Sequence, residues 1–152
     1  MNALTDVERT LLSHLLAGDH PALAVLRRQL AAATVEGREF SAIGFFTDLV
    51  IPRSLTRLPV RRWVIGDVEF QLEGIVHGGS ALLFVENGAA SMLEVCLNGG
   101  ELWPEDVEGL RAGYLIRAEA IRGGHLLEPG PERDLRALAS EYAEAKNRGW
   151  AC

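Results

Sequence analysis

Residues 63–97 read WVIGDVEFQLEGIVHGGSALLFVENGAASMLEVCL, and the fold turns on how this stretch divides. Apolar and polar residues alternate along it, which is the period of a half-buried β-strand. Val68, Phe70 and Leu72 point one way, while Asp67, Glu69, Gln71 and Glu73 point the other. Gly78-Gly79 and Asn87-Gly88 punctuate the pattern, and both dipeptides suit two-residue hairpin turns that need positive φ. The stretch therefore predicts an antiparallel meander with strands over 63–77, 80–86 and 89–97.

Tight turns at both places would set residue 77 opposite 80 and residue 86 opposite 89. One face then collects Phe70, Leu72, Val76, Ala81, Leu83, Val85, Ala90 and Met92, the expected core. The other face holds Glu69, Gln71, Glu73 and Glu86 at one end and Ile75, Leu82, Leu93 and Val95 at the other, with Phe84 and Ser91 between. Glu94 falls on the core face in this register, so it must lie at a rim or be bonded to a partner. A slip of one residue would invert every one of these assignments.

The flanks supply the cover. Thr5-Asp6-Val7-Glu8 is a capping-box pattern, and Val7, Leu11, Leu12, Leu15 and Leu16 recur at helical spacing until Gly18. Asp19-His20-Pro21 opens a second helix with Leu23, Leu26 and Leu30 on one stripe. Residues 34–51 read as an extended strand and 52–62 (PRSLTRLPVRR) as a loop. A fourth meander strand is expected at 112–121. An amphipathic helix follows at 131–148, with Leu135, Leu138 and Tyr142 on its stripe. The fold class is α+β: an N-terminal helical hairpin packed on a mainly antiparallel meander sheet. Residues 1–130 form one domain and 131–152 an appended C-terminal helix and tail. The appended stripe is expected to dock on the apolar cluster of Ile75, Leu82, Leu93 and Val95, in its own chain or in a second copy.

Of 152 residues, 48% are hydrophobic and 24% charged, the balance of a globular chain. No apolar run is long enough to span a bilayer, and the N-terminus lacks the pattern of a signal peptide. Cys96 and Cys152 form neither a disulfide framework nor a zinc pattern, so a reduced, cytoplasmic protein is expected. The net charge is −6, and residues 63–110 carry nine acids with no Lys or Arg. Such a segment repels phosphate, which argues against nucleic-acid binding through it.

Candidate chemistry is sparse. The carboxylates of Asp67, Glu69, Glu73 and Glu86 have strand spacings that glycosidases also use, but a polar strand face supplies the same spacing. His77-Gly78-Gly79-Ser80 resembles the oxyanion segment of esterases, yet no G-x-S-x-G elbow accompanies it and hairpin chemistry explains the glycines. His14, His20 and His125 are scattered, and Glu101, Glu105, Asp106 and Glu108 lack the spacing of a calcium loop, so no metal or cofactor is expected. Trp103 reads as a loop anchor in the core or a stacking surface for a ligand. Arg53, Arg57, Arg61 and Arg62 form a basic loop without a phosphate cradle.

GFFT at 44–47, GDV at 66–68, LFV at 83–85, SMLE at 91–94 and Trp103-Pro104 together resemble a group of small uncharacterised bacterial proteins. The resemblance spans about residues 20–116. A glycine often follows Met-Leu-Glu in that group, where this chain has Val95. It implies a single α+β domain and brings no activity or site residue with it.

Three functional classes remain open. The leading expectation is a non-enzymatic, inhibitor- or immunity-like module whose acidic sheet surface (Asp67, Glu69, Glu73, Glu86, with Phe84) meets a basic protein partner. The second is a small-molecule binder or enzyme with a pocket between sheet and helices, walled by Glu94 and Trp103. The third is a homo-oligomer subunit associating through Leu135, Leu138 and Tyr142.

Overall fold

The computed structural model describes residues 3–115 and 129–148. Helices α1 (Asp6–Leu15) and α2 (Pro21–Ala31) precede strands β1 (Thr34–Ser41) and β2 (Gly44–Val50). Strands β3 (Arg62–Gln71), β4 (Gly79–Glu86), β5 (Ala89–Leu97) and β6 (Arg111–Tyr114) follow, and α3 (Leu135–Arg148) closes the order. The six strands form one antiparallel sheet in the order β1-β2-β5-β4-β3-β6. The α+β architecture read from the sequence is the one observed.

Local chemistry explains the helix starts. Thr5 Oγ1 accepts from Glu8 N at 3.2 Å while Thr5 N donates to Glu8 Oε1 at 2.7 Å, completing the capping box. His20 Nδ1 accepts from Ala22 N at 3.1 Å, with Pro21 in the first helical position. Both helices bury their leucines on one sheet face, where Leu11, Leu15, Leu23 and Leu26 meet Ile65, Val68, Phe70, Leu83 and Leu93.

The meander departs from its expected register in three places. Asn87-Gly88 is a two-residue turn with φ of 49° and 79°, as its chemistry requires. Gly78-Gly79 is not: Gly79 pairs with Phe70, so β3 ends at Gln71 and residues 72–78 form a longer loop. Val76, expected in the core, is 63% exposed there. Gly66-Asp67 forms a bulge, where Ile65 pairs with Leu83 but Val68 with Ala81, so the alternation slips. A second bulge at Ser91 lets Phe84 pair with Met92 and Val85 with Ala90. It turns Leu93, Val95 and Leu97 into the core and puts Met92 and Glu94 on the opposite face, correcting the expected assignment of Met92, Leu93, Glu94 and Val95.

Residues 34–51 form two strands rather than one, turning at Ala42-Ile43 without a glycine, asparagine or aspartate in the turn. Gly44 follows immediately, and a Cβ there would run into the Val95 carbonyl oxygen of β5. The fourth meander strand appears as β6, paired with β3 rather than extending the sheet beyond β5. The part of that expectation beyond Leu115 lies outside the described residues.

Helix α3 docks in its own chain, though not on the expected patch, because Leu93 and Val95 belong to the core. Leu135 packs on Gly18, and Tyr142 lies between His20 and Trp63 at ring separations of 5.5 and 5.0 Å. Leu138 and Ala145 are buried beneath it. Arg133, just before the helix, grips Asp67 with two hydrogen bonds of 2.8 and 2.7 Å and donates a third to Ala17 O. Its side chain is only 5% exposed, so Arg133→Ala should remove about 1–3 kcal/mol of stability in denaturant titration. A double-mutant cycle with Asp67→Asn should assign most of that loss to the pair.

Candidate functional site

Helices, the 52–60 loop and Trp103 cover one face of the sheet; among the described residues no element covers the other. Alternation places Phe46, Leu82, Phe84, Met92 and Val64 on this open face, where all are partly exposed. Register brings them together, with Asp48, Met92, Phe84 and Val64 side by side on four neighbouring strands. Phe46, Glu94 and Leu82 form the adjacent row. The glycine of the β3 bulge makes room here, since a Cβ on Gly66 would meet Leu82 Cδ2 at 2.5 Å. Glu94 stands within the apolar centre, between Phe46 and Leu82, while Glu39, Asp48, Glu69 and Glu86 lie around it, and Arg62 reaches Glu86 at 3.5 Å.

The sequence candidates therefore separate. Phe84, Glu69, Glu86 and Glu94 come together on the open face. Asp67 does not join them, because the bulge turns it toward Arg133, which binds it with two hydrogen bonds and leaves its side chain 32% exposed. Glu73 lies in the 72–78 loop, off the strand. Trp103 sits on the covered face, its ring 5.3 Å from Phe45 and 6.3 Å from Phe70, as a core anchor. Glu94 and Trp103 thus lie on opposite sides of the sheet and cannot wall one pocket. Phe46 and Met92 are among the members of the open face that escaped the sequence reading. A hidden hairpin concealed the first and the Ser91 bulge the second.

At one end of this face Ser80 Oγ lies 2.6 Å from Glu69 Oε2 and 2.8 Å from Asn98 Oδ1. His77 instead faces Glu101 at 3.5 Å, so the esterase-like segment does not bring serine and histidine into a nucleophile–base pair. The backbone N–H groups of Val76 and His77 hold the Glu101 carboxyl below its usual pKa. Burial, with Glu94 nearby, pushes the Cys96 thiol up, the opposite of an activated nucleophile. No three His, Cys, Asp or Glu side chains converge on a metal-sized site among the described residues, and no described helix is long and apolar enough to cross a membrane. Comparison of the chain with protein-family models, with curated proteins and with solved structures finds no match in any of the three.

Proposed function

We propose that the protein is a non-enzymatic binding module whose open sheet face receives a basic protein partner. The observation behind this reading is the composition of that face, an apolar centre of Phe46, Phe84, Met92 and Leu82 with Glu94 among them and four further carboxylates around it. Aromatic and methionine side chains with a polar rim are the usual make-up of a protein interface. The acids steer a cationic partner and disfavour a like-charged one, which also makes a second copy a poor occupant of the same face.

Capture of host proteins should return one saturable, basic partner, released by salt as the charges are screened. Phe84→Asp should abolish its binding, whereas replacing Glu69, Glu86 and Glu94 with glutamine should slow association by roughly tenfold at low salt. Melting temperatures should stay close to wild type, since these side chains are only partly buried. Partner binding indifferent to all four positions would overturn the proposal. So would a turnover reaction lost on replacing Glu69 or Glu94 in a protein that still folds.

A further inference from the structure

One carboxylate on the open face stands apart from the others. Glu94 lies in the middle of β5, with Phe46 of β2 and Leu82 of β4 as its cross-strand partners. Met92 and Cys96 share its face two residues away on the same strand. Neighbouring strands run about 4.8 Å apart and alternate residues about 6.5–7 Å apart, so these four side chains are its immediate surroundings. Phe46, Leu82 and Met92 carry no hydrogen-bond donor, and the Cys96 thiol donates to Leu97 O at 3.5 Å. Ser80, diagonal to Glu94 on β4, places its hydroxyl 2.6 Å from Glu69 Oε2 instead. Glu94 is nonetheless half-buried.

The β3 bulge leaves room above this carboxylate. Leu82 leans onto Gly66, where an added Cβ would lie 2.5 Å from Leu82 Cδ2. Gly66 belongs to β3 and Glu94 to β5, on opposite sides of β4, so the lean carries the leucine away from the carboxylate. Any partner that docks flat on Phe46, Leu82, Phe84 and Met92 must also cover Glu94. Covering a carboxylate without a counter-charge strips its water and puts nothing in its place. A wholly apolar partner is therefore rejected, and so is one with an acid at that point. A cation there is favoured, because the apolar side chains around it exclude water and keep the attraction unscreened.

We propose that the partner protein sets a single arginine side chain on Glu94 at the centre of the interface, ringed by contacts to Phe46, Leu82 and Met92. Arginine fits better than lysine, because its planar fork takes both carboxylate oxygens and its face stacks on the adjacent Phe46 ring. This inference rests on the open-face reading and sharpens it. The surrounding acids Glu39, Asp48, Glu69 and Glu86 govern how fast a partner arrives, whereas Glu94 governs which partner stays. The two roles separate kinetically: outer charges act on association and fade with salt, while a water-excluded pair acts on dissociation.

The probe is a phage-displayed library of disulfide-cyclised peptides, selected on the immobilised full chain. Binders that Phe84→Asp abolishes should carry one arginine flanked by apolar residues. With the best such peptide, Glu94→Gln should speed dissociation at least about tenfold, at low and raised salt alike. Glu69→Gln combined with Glu86→Gln should slow association at low salt only. Replacing the peptide arginine by glutamine should cost as much against the wild-type chain and almost nothing further against Glu94→Gln, the mark of a direct pair. That arm of the cycle leaves the protein's own fold untouched. Gly66→Ala, which drives Leu82 back toward the carboxylate, should weaken the peptide about tenfold with Glu94 still present. An additive cycle, or face-bound peptides that lack a cation, would overturn the central arginine and leave the open-face reading standing. An empty selection, or one whose binders all survive Phe84→Asp, would overturn the open-face reading and this inference with it.

Discussion

Glu8→Ala should lower the unfolding free energy by about 3–4 kcal/mol, although Glu8 reads as no more than a capping residue. Its carboxylate has no solvent exposure and serves three elements at once. One oxygen accepts from Thr5 N at the start of α1 and from Arg38 Nη2 of β1 at 2.7 Å. The other accepts from Arg38 Nε at 2.8 Å and from the Thr47 hydroxyl of β2. Removing the carboxylate strands a buried hydroxyl, an N-cap amide and a guanidinium. That guanidinium is 23% exposed, which keeps the loss toward the low end for a broken buried ion pair.

The same network sets an acid limit. Burial alone would raise the Glu8 pKa, but the hydrogen bonds from Arg38, Thr47 and Thr5 outweigh it and bring it from 4.5 to about 2. A carboxyl depressed in the folded state contributes its full stability above the unfolded pKa and loses it as pH falls toward 2. The gap between 4.5 and about 2 corresponds to about 3 kcal/mol, lost progressively over that window. Glu8→Gln, destabilised at neutral pH, should show a flatter acid limb in denaturant titrations at stepped pH. Parallel acid limbs in the two proteins would show that Glu8 does not set it.

What could be read from the sequence was local. Thr5 with Glu8, His20 with Pro21, and Asn87 with Gly88 each solve a backbone problem within four residues, and each appears where its chemistry demands. What could not be read depends on distant neighbours. Arg38 finds Glu8 across thirty positions, and Gln29 clamps α2 to the β4–β5 turn by bonding Thr56 O, Gly88 O and Ala90 N. Asp67 is an ordinary outward acid until the Gly66 bulge turns it toward Arg133. The open face inherits the same division: its acids on β3 and β4 were visible, but Phe46, Met92 and Glu94 depended on a hairpin and a bulge that carry no residue signature.

The Ser91 bulge makes the sharpest test of the sheet. Leu93 pairs with Leu83 and with Thr47, and no part of it is exposed. Leu93→Ala should therefore cost about 2–5 kcal/mol, as a core truncation. Met92, one residue earlier on the open face, should cost under about 1 kcal/mol when replaced by alanine. Deleting Ser91 separates the bulge from regular alternation more decisively. With the bulge, deletion leaves Ala90 inward, Met92 outward and Leu93 inward, and removes only the 3.2 Å bond from Ser91 Oγ to Phe84 O. The shortened protein should fold, with a smaller loss than Leu93→Ala. In a regularly alternating strand the same deletion would throw residues 92–97 onto the wrong faces, drive Glu94 across the sheet and abolish folding. An unfolded deletion variant beside a tolerant Leu93→Ala would show that the strand has no bulge, and the open face would then lose Met92 and Glu94.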